Sequence, residues 1–161
     1  MSISDFVQGF IIGSSLIIAI GPQNLYVINQ GLKKNYTLIV VLICSLSDSL
    51  LIVCGIYLSN SILNLNHSVI AGMKLICGIW LILYGITKIK NSRNHNIKGK
   101  EFNETNFNKV FLTTLAITYA NPHVYLDTVI LLGSISVNFD NKLFFGMGAI
   151  FASFVFFLVL V

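Results

Sequence analysis

The amino-acid sequence predicts an all-α, polytopic helical membrane protein, from its composition and from the lengths of its apolar segments. Of 161 residues, 55% are apolar and 10% are charged, against roughly 25% charged in an average soluble domain. A helix needs about 20 apolar residues to cross about 30 Å of hydrocarbon. No segment alternates like a strand, so helices are expected to satisfy the backbone in lipid. Five segments approach the required length: residues 6–30, 37–58, 68–87, 110–133 and 142–161.

These segments leave little chain for anything else, so residues 1–161 are expected to form a single membrane domain. The first segment lacks a basic n-region and is too long for the apolar core of a secretory signal, so we expect it to be retained. Cys44, Cys54 and Cys77 all lie inside apolar segments. Cysteine there usually behaves as a small hydrophobic residue, and neither a disulfide nor a metal site is predicted.

The distribution of basic residues predicts the orientation in the membrane. The loop between the second and third segments, SNSILNLNH, has no Lys or Arg. The basic loops lie on the other side if each segment crosses once, and the positive-inside rule makes that side cytoplasmic. The N-terminus is then outside, residues 88–109 form a polar cytoplasmic linker, and the charge orients the chain in the lipid bilayer and indicates no nucleic-acid partner. The basic residues are Lys33 and Lys34 in one loop and Lys88, Lys90, Arg93, Lys98, Lys100 and Lys109 in the other.

Two of the predicted helices are interrupted near the middle of the membrane. Gly21 and Pro22 break the first segment, and Pro22 frees backbone polar groups that lipid cannot satisfy. In the fourth segment, Asn121 suits an N-cap and Pro122 suits the first helical position. Each break is therefore expected to create a half-helix N-terminus, whose N–H groups and positive dipole end can hold a carboxylate. A proline kink without a ligand is the alternative for each break.

The two breaks also predict an inverted repeat. Pro22 and Pro122 are 100 residues apart, and their segments run in opposite directions across the membrane. Matching interruptions in oppositely oriented halves are typical of inverted-repeat transporters with a binding site at the midplane. We therefore expect a membrane transport domain made of a first repeat, about 6–87, the linker 88–109 and an incomplete second repeat, 110–161.

Two carboxylates lie at membrane depth. A charged carboxylate at the bilayer centre costs at least about 2.5–3.5 kcal/mol, so Asp48 and Asp127 each need a partner or a function. Ser45 and Ser49 share the face of Asp48 at helical spacing. No basic residue matches the depth of Asp48, so a ligand cation or a proton is favoured there. His123 is four residues before Asp127 and can contact it on the same helix face.

Asp127 has a second candidate partner, Lys74. By helical rise, Lys74 lies about 6 Å and Asp127 about 9 Å outward from the centres of their segments. The two could therefore form a structural ion pair. No nucleophile, metal triad or phosphate loop accompanies the carboxylates, so no enzyme, cofactor or metal site is predicted.

Three sequence regions resemble the signature regions of the lysine exporter family, closest to its arginine exporter branch. They are GPQNLYVINQGLKKNY, CSLSDSLLIVCGIY and NPHVYLDTVILLGS. A related neutral amino acid efflux group usually has a Pro-Gly-Pro form of the first break, where this chain has Gly-Pro-Gln-Asn. The resemblance covers the chain from about Phe6 to Val161.

The resemblance implies a bacterial inner-membrane exporter of basic amino acids, L-arginine or L-lysine, driven by the proton or electrical gradient. By position, the family's intramembrane aspartates match Asp48 and Asp127. Its broken-helix residues match positions 21–24 and 121–122. Together with the half-helix argument, this predicts a substrate site made of Gln23, Asn24, Asp48, Asn121, His123 and Asp127.

Family members have a sixth hydrophobic segment, so the resemblance implies that five of six expected segments are present here. Two explanations stay open: further chain beyond Val161, or a fifth segment that closes the site differently, for example in a homo-oligomer. Two other functions also stay open. One is a neutral amino acid carrier that uses Asp48 only for a proton, and the other is a non-transporting membrane subunit.

Overall fold

The computed structural model describes residues 2–18, 21–34, 36–63, 67–93 and 106–161, and these ranges contain helices and turns but no strand. The prediction of an all-α protein is confirmed. The helices are α1 (Ser2–Ile17), α2 (Pro22–Leu32), α3 (Thr37–Tyr57), α4 (Ser59–Leu63), α5 (His67–Arg93), α6 (Phe107–Tyr119), α7 (Pro122–Val124), a π-helix (Tyr125–Leu131), α8 (Leu132–Ser136) and α9 (Lys142–Leu160).

Two described helices, α3 and α9, are long and apolar enough to cross a membrane, each with a mean hydropathy of 2.5 over its most apolar part. The pair α1 and α2 passes the same test as one unit, bent by 85° between the two helices. Within the described residues, two or three of the five predicted spans therefore meet this test of length and composition. The predicted third segment is α5, and the predicted fourth segment is α6 followed by α7, the π-helix and α8.

Helices α1 and α9 pack in parallel, and the residues that contact each other are 136 positions apart in the sequence. Asp5 Oδ2 accepts a hydrogen bond from the backbone N–H of Asn141 at 3.1 Å. One turn further on, a Cβ added to Gly9 would collide with the carbonyl oxygen of Phe145. A Cβ on Gly13 would lie 2.9 Å from the Cα of Ala149. The spacing of Gly9 and Gly13 is the small-xxx-small pattern that lets membrane helices approach closely.

Helix α3 runs antiparallel to α9 and carries two apolar clusters on either side of its centre. Asp48 lies between the clusters on α3, and Ser153 lies between them on α9, so the polar residues occupy a middle layer of the fold. The first cluster contains Tyr26, Val27, Val40, Val41, Cys44, Val110 and Phe157. The second contains Ile52, Ile56, Leu132, Phe145 and Ala149.

The predicted linker, 88–109, is described only at its edges. Helix α5 continues to Arg93 and α6 begins at Phe107, so the linker's two ends are helical. The rest of the linker, residues 94–105, lies outside the described residues. Cys44 and Cys54 are free thiols, the first buried and the second exposed.

Candidate functional site

The first helix break forms around Gly21 and Pro22, as the sequence predicts. Gly21 is the extended N-cap residue of α2 (φ −107°, ψ −177°), and Pro22 takes the first helical position. The Leu25 N–H donates to the Gly21 carbonyl at 3.1 Å, which closes the first turn. Across the break, the Asn24 side-chain amide donates to the carbonyl of Ile17 at 3.0 Å. The amide therefore satisfies an α1 carbonyl that the bend leaves without a helical partner.

The second break forms at Asn121 and also follows the prediction. Helix α6 ends at Tyr119, and the Asn121 side chain accepts a hydrogen bond from the His123 N–H at 3.1 Å as the N-cap of α7. Pro122 takes the first helical position. After three residues the helix widens into a π-helix that carries Asp127. Single π-helical turns are frequent at functional sites.

The two breaks meet in space. A Cβ added to Gly21 would lie 3.8 Å from the side-chain nitrogen of Asn121. Residues that are 100 positions apart in the chain therefore adjoin at the centre of the fold, where the half-helices begin.

Asp48 is 4% exposed and makes a hydrogen bond with a residue of α9, the predicted fifth segment. The Ser153 hydroxyl donates to Asp48 Oδ2 at 3.0 Å. Ser49 instead donates to the backbone carbonyl of Ser45 at 2.6 Å. The hydroxyl oxygen of Ser45 is buried and has no hydrogen-bond partner among the described residues. The hydrogen-bond donor to Asp48 is therefore Ser153 on α9, a single hydroxyl within the apolar run FASFVF. The sequence analysis did not predict this contact.

Asp127 pairs with His123, a contact that the sequence predicts and the structure confirms. His123 Nε2 lies 3.2 Å from Asp127 Oδ2, with the side chains 33% and 17% exposed. The predicted pair of Asp127 with Lys74 cannot be described in the same way, because the side chain of Lys74 lies outside the described residues.

A cavity brings the predicted site residues together. It has a volume of about 50 Å³ and is lined by residues from both breaks and from α3. Pro22 and Pro122 adjoin the lining residues in the chain but are not among them. Thr128, whose hydroxyl donates to the Val124 carbonyl at 2.6 Å, also lines the cavity and was not foreseen. The polar lining consists of Gln23, Asn24, Asp48, Asn121, His123, Asp127 and Thr128.

The cavity combines polar side chains with apolar walls and is too small for a large solute. A water molecule needs about 10–15 Å³ of such space, so the volume admits a few waters but not an amino acid of the size of arginine. In the part of the chain that the structure describes, no three His, Cys, Asp or Glu side chains come together as metal ligands. The arrangement offers hydrogen-bond donors at the breaks and two carboxylates, a set suited to binding a polar, charged solute.

The chain is similar to known proteins over nearly its whole length. A family model described as LysE type translocator matches residues 14–161. The arginine exporter protein ArgO of Pectobacterium carotovorum subsp. carotovorum is 37% identical over 160 residues, which are 96% of this chain and 78% of that protein. The protein of the same name from Salmonella enteritidis is 36% identical over 159 residues, 96% of this chain and 75% of that protein. No solved structure matches the chain.

Proposed function

Because the chain belongs to the LysE type translocator family, we propose that it exports basic amino acids, foremost arginine, across the bacterial inner membrane. The similar proteins from Pectobacterium and Salmonella carry the name arginine exporter. The first break, Gly-Pro-Gln-Asn, agrees with that branch.

The observation that carries this proposal is the meeting of two carboxylates and two helix breaks at one cavity. The carboxylate of arginine would bind donors at the half-helix N-termini, and Asp48 or Asp127 would receive the side-chain cation or a proton. Carboxylates at this depth are costly and mark ion or substrate pathways in membrane proteins. Broken helices that point their N-termini at an anionic substrate group are a recurring transporter device.

Export of arginine needs an energy source. Moving one positive charge outward against an inside-negative potential costs about 2.3 kcal/mol per 100 mV. Exchange for one inward proton removes that electrical cost, because no net charge then crosses. The two cavity carboxylates and His123 supply groups that can carry the proton.

Transport requires the walls of the cavity to separate. The volume of about 50 Å³ supports a closed conformation, since sites for small molecules occupy roughly 300–1,000 Å³. Rocking of the first repeat, 6–87, against the second, 110–161, would open the cavity to each side in turn. The N-terminus would lie outside and the linker 88–109 in the cytoplasm, as the basic residues of the loops support.

Uptake of radiolabelled arginine into inverted membrane vesicles tests the proposal. In such vesicles the cytoplasmic face points outward, so export appears as accumulation in the lumen. We expect accumulation that rises with an acidic lumen and collapses when a protonophore is added. Vesicles without the protein are the control.

Three other outcomes contradict the proposal in different ways. Uptake of leucine without arginine would identify a neutral amino acid carrier. Absence of uptake of any amino acid, with the protein present in the membrane, would indicate a non-transporting subunit. Arginine uptake that is insensitive to the proton gradient would leave export standing and exclude proton exchange.

A further inference from the structure

The two half-helix N-termini at the cavity differ in their free donors. At α7, the Asn121 side chain already accepts from the His123 N–H, and α7 itself has three residues. At α2, which has 11 residues, the N-cap residue Gly21 makes no side-chain cap. The first N–H groups of a helix have no partner within it, and Pro22 has none to offer. The N–H of Gln23 is therefore the first backbone donor at the positive N-terminus of α2, and Gln23 lines the cavity.

Gln23 adds a second, independent sign of a ligand. Its side chain is 5% exposed and lines the cavity. Its amide nitrogen is buried without a hydrogen-bond partner in the described part of the chain. Buried donors are almost always paired, so an amide that makes no hydrogen bond of good geometry here is free to turn to an acceptor that arrives with the ligand.

Asp48 places a fixed acceptor beside this donor. The Gln23 side-chain amide faces the Asp48 carboxylate closely enough to interact with it, although the pair does not have the geometry of a hydrogen bond. Asp127 also lies within electrostatic range of Asp48, and the Ser153 hydroxyl donates to Asp48 Oδ2. A deep donor next to a deep carboxylate matches the two groups that an α-amino acid carries on one carbon, the α-carboxylate and the α-ammonium.

Asp127 lies nearer the exposed rim of the cavity. Asp127 and its partner His123 are half-buried, whereas Gln23 and Asp48 are buried. A ligand that enters with its α-carbon groups first would therefore leave its side chain beside Asp127.

We propose that Gln23 and the α2 N-terminus bind the substrate α-carboxylate, Asp48 binds the α-ammonium group, and Asp127 binds the side-chain cation. This assignment rests on the proposed function and restricts the class of substrates. The substrates are zwitterionic α-amino acids with a cationic side chain, and diamines are excluded because they lack the carboxylate. Asp127 is the residue that selects basic over neutral side chains.

Competition against labelled arginine in inverted vesicles tests this assignment on the unaltered protein. Agmatine keeps the guanidinium group but lacks the carboxylate, and citrulline keeps the carboxylate but lacks the charge. We expect each to inhibit at least about tenfold more weakly than unlabelled arginine, because agmatine leaves the donors at Gln23 unpaired and citrulline leaves Asp127 without a cation. Agmatine that competes as well as arginine would overturn the carboxylate site while arginine export still stands. Citrulline that competes as well as arginine would overturn the role of Asp127. Absence of arginine uptake would contradict the proposed function itself.

Matched variants assign the residues. Gln23→Met should weaken arginine inhibition about tenfold and leave agmatine inhibition unchanged, since agmatine has no group for that site. Gln30→Met is the control, because Gln30 lies on the same helix and is 1% exposed with an unpartnered side-chain oxygen among the described residues, but does not line the cavity. Equal losses in the two variants, or an equal loss for arginine and agmatine in Gln23→Met, would overturn the role of Gln23.

Asp127→Asn tests the other end of the substrate. In this variant we expect citrulline to inhibit the uptake of labelled arginine as strongly as unlabelled arginine does, because the contact that favours the cationic side chain is gone. An unchanged preference for arginine would overturn the assignment of the side-chain cation to Asp127.

Discussion

Asp48 carries the clearest functional signal of any single side chain in the described structure. It is 4% exposed, in the middle of α3, and Ser153 is the hydrogen-bond donor that holds it. No cationic side chain among those that the structure describes pairs with Asp48. Such a carboxylate is poorly suited to stabilise a membrane helix, since apolar replacements of buried charges are often neutral or stabilising. Its presence is explained by a cation or a proton that binds during transport.

Asp48→Asn should abolish arginine export while the protein still accumulates in the membrane. Asparagine keeps the volume and can still accept from Ser153, but it can neither balance a cation nor carry a proton. Vesicle uptake and immunodetection measure the two properties. Asp140→Asn, in the exposed turn before α9, is the matched control and should transport normally. Full export by the Asp48→Asn protein would remove Asp48 from the site.

Ser153→Ala should weaken transport without abolishing it. A hydrogen bond to a charged group contributes about 1.5–3 kcal/mol, so its loss should raise the half-saturating arginine concentration by about tenfold or more. Ser136→Ala is the control, because the buried Ser136 hydroxyl donates within its own helix to the Gly133 carbonyl. Identical kinetics in the two variants would mean that Ser153 does not position Asp48.

Helices α1 and α9 approach each other through glycines from both sides. Gly9 and Gly13 on α1 meet the backbone of α9, and Gly148 on α9 meets the carbonyl of Phe6. In lipid no hydrophobic effect drives helices together, so this close packing supplies dispersion contacts instead. The parallel pair thereby forms one wall of the fold around which α3 can pack.

Gly148→Ala should destabilise the protein, although Ala is the better helix former by about 1 kcal/mol. The added Cβ would collide with the Phe6 carbonyl, and such overpacking typically costs about 1–3 kcal/mol. Gly78→Ala on α5 should be neutral or slightly stabilising, because no atom of the described structure lies within 4 Å of its Cβ position. The midpoint of thermal aggregation in detergent measures both. A Gly148→Ala protein as stable as Gly78→Ala would contradict the close packing of α1 on α9.

The basic residues in the loops predict how the whole molecule is oriented across the membrane. In a cysteine-free background, Asn96→Cys should react with an impermeant thiol reagent only after the cells are opened, because the positive-inside rule predicts that the basic linker is cytoplasmic. Ser61→Cys, in the exposed part of α4, should react in intact cells. Reversed labelling of the two positions would invert the proposed topology.

Features that depend on neighbours in the chain could be read from the sequence. The apolar segments, the breaks at Gly21 and Asn121 and the contact of His123 with Asp127 all follow from local chemistry or helical spacing, and the structure contains them. The types of residue proposed for the site could be named for the same reason, since intramembrane carboxylates and broken helices are visible in any hydropathy pattern.

Features that depend on contacts between distant residues were decided by the tertiary structure. Ser153 supports Asp48 across 105 positions of sequence, and no local pattern distinguishes it from other hydroxyls in apolar segments. The two breaks appear equivalent in sequence. In the fold, Asn121 caps one N-terminus, whereas the other lies beside the Gln23 amide, which makes no hydrogen bond of good geometry within the described residues. Local sequence determines where a helix can begin and which groups it carries, whereas packing determines which of those groups are already satisfied and which remain for a ligand.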